Sequence, residues 1–246
     1  MSRQLIVDIG NSSAKAALFE GDRLVEEFRV EHEVLPSFFA DRVMDGDIRA
    51  AIVSTVIPLG EEVEQAIEQL PFPCLRMSAR LKKPFRVAYQ TPETLGADRL
   101  AAVAEACAQK PACDLLVIDV GSAITYDIVT ADGLYLGGNI SPGIDMRFKA
   151  LNYFTGKLPL VNKEGERHAI GITTETALRE GVLQGVDKEI DGYIREYREK
   201  YPHLLVFLTG GGAFFLDNRT KKHIFADDLL VMKGLNRILM LNNEAV

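Results

Sequence analysis

The sequence predicts an α/β protein made of two related halves, each a βββαβαβ lobe, with a central nucleotide cleft. Three observations carry this. Leu5-Ile6-Val7-Asp8-Ile9-Gly10-Asn11-Ser12-Ser13 opens the chain, and Leu116-Val117-Ile118-Asp119-Val120-Gly121-Ser122-Ala123-Ile124 restates it 111 positions later, Asp8 to Asp119. Each copy is an apolar strand that ends in Asp-x-Gly and is followed by a second strand and a hairpin turn. Behind each copy, helical periodicity alternates with short apolar runs, the pattern of helices packed on a largely parallel sheet.

In the first half, Gln4–Ile9 and Ala14–Phe19 read as buried strands. Glu20-Gly21-Asp22-Arg23 is a hairpin turn, with Leu24–Val30 as the return strand. Pro36–Asp45 fits a helix that sets Phe38, Phe39, Val43 and Met44 near one face. Ala50–Thr55 is a buried strand. Glu61–Leu70 has helical spacing at Val63, Ala66, Ile67 and Leu70, Pro71 and Pro73 stop it, and Cys74–Met77 is the next strand. Leu95–Gln109 is an Ala-rich helix with Asp98 and Arg99 in its first turn. In the second half the strands are Leu115–Asp119, Thr125–Thr130 and Leu134–Gly137, followed by a helix over Ile144–Phe154. A long amphipathic helix runs from about Thr174 to about Lys200, with Leu178, Val182, Val186, Ile190, Tyr193 and Tyr197 on one side. Leu204–Leu208 is a strand that breaks at Thr209-Gly210-Gly211-Gly212, and a helix, a strand and a helix finish the chain. The halves divide at residue 114, giving lobes 1–114 and 115–246, with no low-complexity linker between them.

Composition narrows the function classes. The net charge of −7 and the lack of a Lys/Arg run argue against a nucleic-acid partner. No apolar run reaches membrane-spanning length, and Ser2, Arg3 and Gln4 lead straight into a strand, so the expectation is a cytoplasmic protein with no membrane contact. Cys74, Cys107 and Cys113 are odd in number and form no C-x-x-C pair, which suits reduced thiols. His32, His168, His203 and His223 have no metal-ligand spacing.

A strand ending in Asp-x-Gly and a hydroxyl-bearing turn is a way to hold a phosphate chain with its cation. Glycine lets the backbone approach the phosphates, turn amides and Ser or Asn side chains donate to phosphate oxygens, and the aspartate gathers a cation directly or through water. One such motif is ordinary turn punctuation in α/β proteins. Two copies, each with a hairpin behind it, point to a nucleotide.

The duplicated plan resembles the acetate and sugar kinase, Hsc70 and actin superfamily, which implies a ribonuclease-H-like (actin-like ATPase) core in each lobe. The motifs resemble one family within it, the type III pantothenate kinases. Asp8-Ile9-Gly10-Asn11-Ser12-Ser13-Ala14-Lys15 is similar to its D-x-G-N-[TS]-x-x-K phosphate loop. Tyr89-Gln90-Thr91-Pro92-Glu93-Thr94-Leu95-Gly96-Ala97-Asp98-Arg99 is similar to its Y-x-x-P-x-x-[LV]-G-x-D-R segment. Asp119 to Asp127 is similar to D-x-G-T-A-x-T-x-D, Gly137 to Gly143 to G-G-x-I-x-P-G, and Thr209-Gly210-Gly211 to the adenosine-site T-G-G. Ser12 and Ser122 replace a frequent Thr and keep its hydroxyl, and Thr173 precedes Thr174 where Asn-Thr is common.

The resemblance implies ATP-dependent phosphorylation of pantothenate, the first step of coenzyme A biosynthesis. It puts the general base on Asp98; as a helix-start residue alone, that Asp would only favour the helix dipole. It puts ATP on Asp8, Ile9, Gly10, Asn11, Ser12, Ser13, Ala14, Lys15 and Ser122, with Asp8 organising Mg²⁺ at the phosphates. Pantothenate falls to Tyr89, Gly96, Ala97, Asp98, Arg99 and Thr174, with Arg99 pairing with its carboxylate or polar groups; their bland alternatives are a half-buried strand Tyr, a plain turn, a surface ion pair for Arg99 and, for Thr174, the helix N-cap. It puts a monovalent cation, K⁺ or NH₄⁺, on Asp119. Thr174 comes across a homodimer with a shared active site, and the stripe Leu178 to Tyr197 is expected at that interface as apolar surface a small lobe leaves uncovered. Two other readings compete. One is a non-catalytic nucleotide-binding transcription accessory protein of the same family, against which the intact G-A-D-R and Tyr89 argue. The other is a kinase or phosphatase for a different small molecule, such as a sugar; 246 residues leave little room for the insertions that shape sugar pockets.

Overall fold

The computed structural model describes residues 3–44, 46–215 and 224–243. In chain order the elements are β1 (Arg3–Ile9), β2 (Ala14–Glu20), β3 (Arg23–Val30), α1 (Leu35–Val43), β4 (Ile48–Thr55), α2 (Glu61–Glu68), β5 (Cys74–Arg76), β6 (Arg86–Val87), α3 (Ala97–Gln109), β7 (Leu115–Val120), β8 (Ala123–Val129), β9 (Leu134–Pro142), α4 (Ile144–Tyr153), α5 (Thr174–Lys200), β10 (Leu205–Thr209), β11 (Ile224–Ala226) and α6 (Leu230–Asn243). Asp45, the expected end of the first helix, lies outside the described residues, as does the part of the closing helix–strand–helix segment between Phe215 and Ile224.

The chain forms two units. In the first, the strands lie in the order β3-β2-β1-β4-β5, with β1 antiparallel to β2 and parallel to β4. In the second they lie in the order β9-β8-β7-β10-β11, with β7 antiparallel to β8 and parallel to β10. The order and the directions are the same, so the repeated phrase marks a duplicated ribonuclease-H-like fold.

Period-two burial explains why the first sheet is covered on both faces. Leu5, Val7 and Ile9 pack with Phe38 and Phe39 of α1 and Val63 and Ile67 of α2. The alternate residues Ile6, Ala17 and Phe19 are equally buried, and α3 and α6 pack together over that sheet. Helix α6 therefore belongs with the first unit, which comprises Met1–Lys110 and Leu229–Val246. Asn236 Nδ2 donates to the Gly21 carbonyl at 2.7 Å, and Arg237 Nε donates to Glu105 Oε2 at 2.9 Å. The division at residue 114 had put this helix in the other lobe. Its periodicity states that it is amphipathic but not which sheet it covers.

Two further expectations change in the second unit. Strand β9 runs on to Pro142 instead of stopping at Gly137, because Ile140 pairs with Thr125 and Pro142 with Ala123 along β8. Glycine and proline there read as loop, yet Gly137 sits where the ladder with β8 shifts register, and Pro142 is the last residue of the strand. The stripe of α5 is not an uncovered surface: Leu178, Val182, Val186 and Ile190 are buried within their own unit against β7, β8 and β10, and Tyr193 and Tyr197 pack beside them. The exposed apolar side chains of this unit lie elsewhere and include Ile140, Met146, Tyr153, Phe154, Leu160, Ile170 and Ile172.

Candidate active site

The first Asp-x-Gly turn sits at the carboxyl end of β1, where ligands of open α/β sheets collect. Asp8 lies opposite Lys15 on β2 and beside Ser54 on β4, so the three side chains share one face of the sheet. Asp8 is half-buried, but its Oδ1 is fully buried and without a hydrogen-bond partner among the described residues; so is Ser54 Oγ. Burial pushes the Asp8 carboxyl up to about 6; the nearby Ser54 hydroxyl draws it down, the Asp98 carboxylate raises it and Lys15 lowers it. An anion in this state wants a cation. Among the described residues no three His, Cys, Asp or Glu side chains cluster as a metal cage. The donor set thus fits a hard cation held by one carboxylate together with water and phosphate oxygens.

Four residues, Gly10 to Ser13, connect β1 to β2, and the Gly10 amide closes the turn on the Ser13 carbonyl at 3.1 Å. Asn11 and Ser12 are exposed, as is Lys15. Ser13 Oγ accepts from Arg29 Nε at 3.2 Å, and His32 Nε2 meets the Gly10 carbonyl at 3.0 Å. Ile9 and Ala14 point into the core, so only their backbone faces the turn.

The second turn has the same lattice position with different neighbours. Asp119 lies opposite Thr125 and beside Thr209. Here three residues, Gly121 to Ala123, make the turn, and the Gly121 amide closes on the Ala123 carbonyl at 3.1 Å. Ser122 is exposed. Two glycines pack against this turn. Gly210 has φ +90°, and a Cβ there would collide with the Asp119 carboxylate and come within 2.6 Å of the Val120 carbonyl carbon. A Cβ on Gly143 would collide with the Ser122 and Gly121 carbonyl oxygens, and the Gly143 amide donates to Ser122 O at 3.2 Å. The T-G-G and G-G-N-I-S-P-G motifs are thus backing for the second Asp-x-Gly turn within one unit.

Asp98 is in the first turn of α3, and its carboxylate acts on that of Asp8. Its Oδ1 accepts from the Arg99 amide at 2.8 Å, and a Cβ on Gly96 would stand 2.5 Å from that oxygen, so glycine is what leaves room for the carboxylate. Gly96 and Ala97 line a cleft of about 750 Å³. Arg99 is 5 % exposed, which removes the surface ion pair as its explanation. Tyr89 is half-buried in the loop after β6, not in a strand. Thr174 is exposed at the start of α5, and it is Thr173 that caps the helix. Thr173 Oγ1 accepts from the Thr176 amide at 3.1 Å, while Thr176 Oγ1 accepts from the Thr173 amide at 2.9 Å. The capping role weighed for Thr174 passes to its neighbour.

One constellation carries no sequence motif. Glu189 on α5 accepts from Tyr126 Oη at 2.7 Å and Ser141 Oγ at 2.5 Å through Oε1, and from Arg147 Nη2 at 2.6 Å through Oε2. Burial raises the Glu189 pKa, but these hydrogen bonds outweigh it and hold the carboxyl below its usual range. Arg147 Nε also donates to the Pro142 carbonyl at 2.8 Å, which fastens the segment leading into Gly143. Only the amphipathic register of α5 hinted that a Glu on its inner side needed partners. Asp127, whose role the sequence left open, is buried and accepts from Tyr135 Oη at 2.6 Å, a structural hydrogen bond.

Comparison with known proteins adds the following. The family model for type III pantothenate kinase matches residues 4–196. A Bacteroides fragilis protein named type III pantothenate kinase is 52% identical over 242 residues, covering 98% of this chain and 99% of its own. Among solved structures, a Campylobacter jejuni protein assigned to the Baf family of transcriptional activators is similar at TM-score 0.63 and 26% identity, over 98% of this chain and 99% of that one. A ROK hexokinase from Thermus thermophilus is similar in fold alone, at TM-score 0.55 and 13% identity over 98% of this chain and 99% of that one. No helix among the described residues is long and apolar enough to cross a membrane.

Proposed function

The chain belongs to the type III pantothenate kinase family, and we propose that it transfers the γ-phosphoryl group of ATP to the primary hydroxyl of pantothenate, with Asp98 as general base. The observation that supports this is the placing of Asp98: it stands in the first turn of α3, Gly96 leaves room for its carboxylate, and that charge acts on the Asp8 carboxyl at the end of β1. Asp98 Oδ1 is occupied by the Arg99 amide. Oδ2 then orients the acceptor hydroxyl and takes its proton as the bond to phosphorus forms and the bond to the leaving ADP oxygen breaks. In a loose transition state that proton leaves late, so position counts for more than basicity.

The other residues bind and orient. Amides of Gly10 to Ser13 and the side chains of Asn11 and Ser12 donate to phosphate oxygens, Lys15 adds charge, and Ser122 donates from its own turn. A divalent metal accompanies ATP in such kinases; Mg²⁺ held at Asp8 would neutralise phosphate charge. Asp119 has one negative charge flanked by two hydroxyl residues and no lysine, a set that suits a monovalent cation such as K⁺ or NH₄⁺. Tyr89, Gly96, Ala97 and Arg99 shape the pantothenate site. Thr174, exposed and free of the capping task, completes the site of a second copy in a homodimer. The surface for that homodimer is the exposed apolar set around Tyr153, Phe154, Ile170 and Ile172, rather than the buried stripe of α5.

The test is ATP-dependent formation of phosphopantothenate by wild type and Asp98→Asn. The substitution should lower kcat by about 10²–10⁴-fold while nucleotide binding persists. Near-normal turnover removes Asp98 from the mechanism. The likeness to the Baf-family structure favours the second reading, a non-catalytic nucleotide-binding regulator; ATP binding without product from wild type would establish it.

A further inference from the structure

One side chain of α5 reaches the second Asp-x-Gly turn through a series of hydrogen bonds. Glu189 lies on the inner side of that helix, and its partners come from three elements: Tyr126 on β8, Ser141 near the end of β9 and Arg147 on α4. Both hydroxyls donate to Oε1 and the guanidinium donates to Oε2. Three donors converge, so the place suits a group that only accepts, which a carboxylate is and an amide is not. The Glu189 and Arg147 side chains retain 25% and 22% of their exposure, so the pair is shielded on most sides without being sealed in the core.

Arg147 does two things at once. Its Nη2 meets Glu189 Oε2 at 2.6 Å and Ser141 Oγ at 3.3 Å, while its Nε donates to the Pro142 carbonyl at 2.8 Å. Pro142 ends β9 and has no N–H to give the ladder, so the bond from Arg147 supplies a tether that the strand end lacks. The next residue, Gly143, donates its amide to the Ser122 carbonyl at 3.2 Å. That contact has no slack, because a Cβ on Gly143 would collide with the carbonyl oxygens of Gly121 and Ser122. Movement of the Pro142 carbonyl is therefore passed on to the turn.

We propose that Glu189 is a positioning residue for the nucleotide: by holding Arg147 on the Pro142 carbonyl, it keeps the Gly121–Ser122 turn and the Ser122 hydroxyl where an ATP phosphate oxygen is received. This rests on the reading that Ser122 donates to ATP. Glu189 itself touches no substrate. Tyr126 is the internal control. It is fully buried and packs on Tyr193, with ring centroids 4.1 Å apart, and its hydroxyl donates to Glu189 and not to the turn. Arg147 is on the path to Ser122, and Tyr126 is off it.

The experiment measures ATP binding by calorimetry without acceptor, KM for ATP and for pantothenate, and melting temperature. The proteins are wild type, Glu189→Gln, Arg147→Met, the double variant and Tyr126→Phe. Glu189→Gln and Arg147→Met should each weaken ATP binding and raise KM for ATP about 3–10-fold, the scale of one lost hydrogen bond, with KM for pantothenate unchanged. The double variant should be no worse than Arg147→Met alone, because both act through one bond to Pro142. Tyr126→Phe should lower the melting temperature and leave ATP binding as in wild type. If Glu189→Gln does not fold, Glu189→Asp, one methylene shorter and still charged, is read in its place. Unchanged ATP binding in Arg147→Met, additive losses in the double variant, or an equal loss in Tyr126→Phe overturns the proposal and leaves the cluster as support for the fold. Wild type that binds ATP but forms no phosphopantothenate overturns the kinase reading, while the ATP-binding comparison still decides the role of Glu189. Wild type that binds no ATP overturns both.

Discussion

At the first Asp-x-Gly turn the aspartate lies between a lysine and a serine; at the second, in the same place in an equivalent sheet, it lies between two threonines. The first turn is four residues long and the second three. The second has glycines from two other segments pressed against it, Gly143 and Gly210, while the first is contacted by His32 and Arg29 side chains. Duplication kept the position of the carboxylate and changed what surrounds it. At the first turn Ser54 and Lys15 offset the burial of the Asp8 carboxylate only in part, and its Oδ1 has no hydrogen-bond partner among the described residues, which suits a site whose remaining counter-charge arrives with the ligand. The second turn is braced by backbone. The comparison can be broken or sharpened by substitutions that should act on one turn and not on the other.

The largest effect is expected at Asp8. Asp8→Asn should lower kcat/KM by about 10²–10³-fold, the scale for losing one preorganised electrostatic contact. It should also raise the stability of the ligand-free protein at pH 7.5. The sign follows from the raised pKa: relative to the unfolded chain, burial penalises the charged form, so the Asp8 contribution to stability is greatest below about 4 and is lost as pH rises through about 6. Removing the charge should return roughly 1–3 kcal/mol. Thermal melts in the absence of nucleotide check this. A less stable Asp8→Asn protein would mean that the first turn is structural, like the second.

Gly210→Ala should do the reverse. With φ +90° and a Cβ driven into Asp119 and Val120, it should cost about 1–3 kcal/mol of stability before any effect on chemistry is counted. Gly96→Ala, by contrast, meets the Asp98 side chain rather than backbone at close range, so it should reduce kcat with little change in melting temperature. If both substitutions destabilise alike, the division between a charged first site and a braced second turn fails.

Smaller again is the cation response. If Asp119 with its flanking Thr125 and Thr209 holds a monovalent ion, activity should be several-fold higher in K⁺ than in Na⁺ or Tris, and Asp119→Asn should flatten that difference. Initial rates at fixed ionic strength measure it. A variant that keeps the full K⁺ response would place the ion elsewhere.

How much of this was legible in the sequence follows physical lines. The succession of strands and helices along each half was readable, because apolar runs are separated by turns and the repeat supplied the second copy. The two Asp-x-Gly turns and the turn at G-A-D-R were readable as local structure because glycine, Asp and hydroxyl residues at fixed spacing have a local meaning. What escaped depends on contacts distant in sequence. The periodicity of α6 says nothing of the sheet it packs on. The stripe of α5 looked like uncovered surface because the strands that bury it are remote along the chain. Glu189 finds partners on β8, β9 and α4. The one-residue ambiguity at Thr173 and Thr174 was beyond sequence because either hydroxyl can cap, and only backbone geometry says which does.

The smallest effect concerns acid, and it separates the units by sign. In the second unit Glu180 of α5 is buried and receives Arg167 through both oxygens, at 2.9 and 3.1 Å, together with the His168 amide at 3.1 Å and Gln184 Nε2 at 2.9 Å. The hydrogen bond from Arg167 pulls its carboxyl down to about 2 against the opposing effect of burial, and Gln184 and His168 add to it. A carboxyl whose folded pKa is depressed gives stability that is present above its unfolded value near 4.5 and disappears as pH falls toward 2. Asp8 behaves oppositely: it stabilises the ligand-free protein as pH falls from about 6 to about 4. Melting temperatures from pH 7 to pH 3 should therefore hold or rise slightly at first and then fall. Glu180→Gln should reduce the steepness of the lower limb, and Asp8→Asn should remove the upper feature only. Because Arg167 is substantially exposed, the Glu180 effect should amount to a few degrees at most. A Glu180→Gln protein with an unaltered acid limb would show that this cluster orders the loop before Thr174 without contributing to stability.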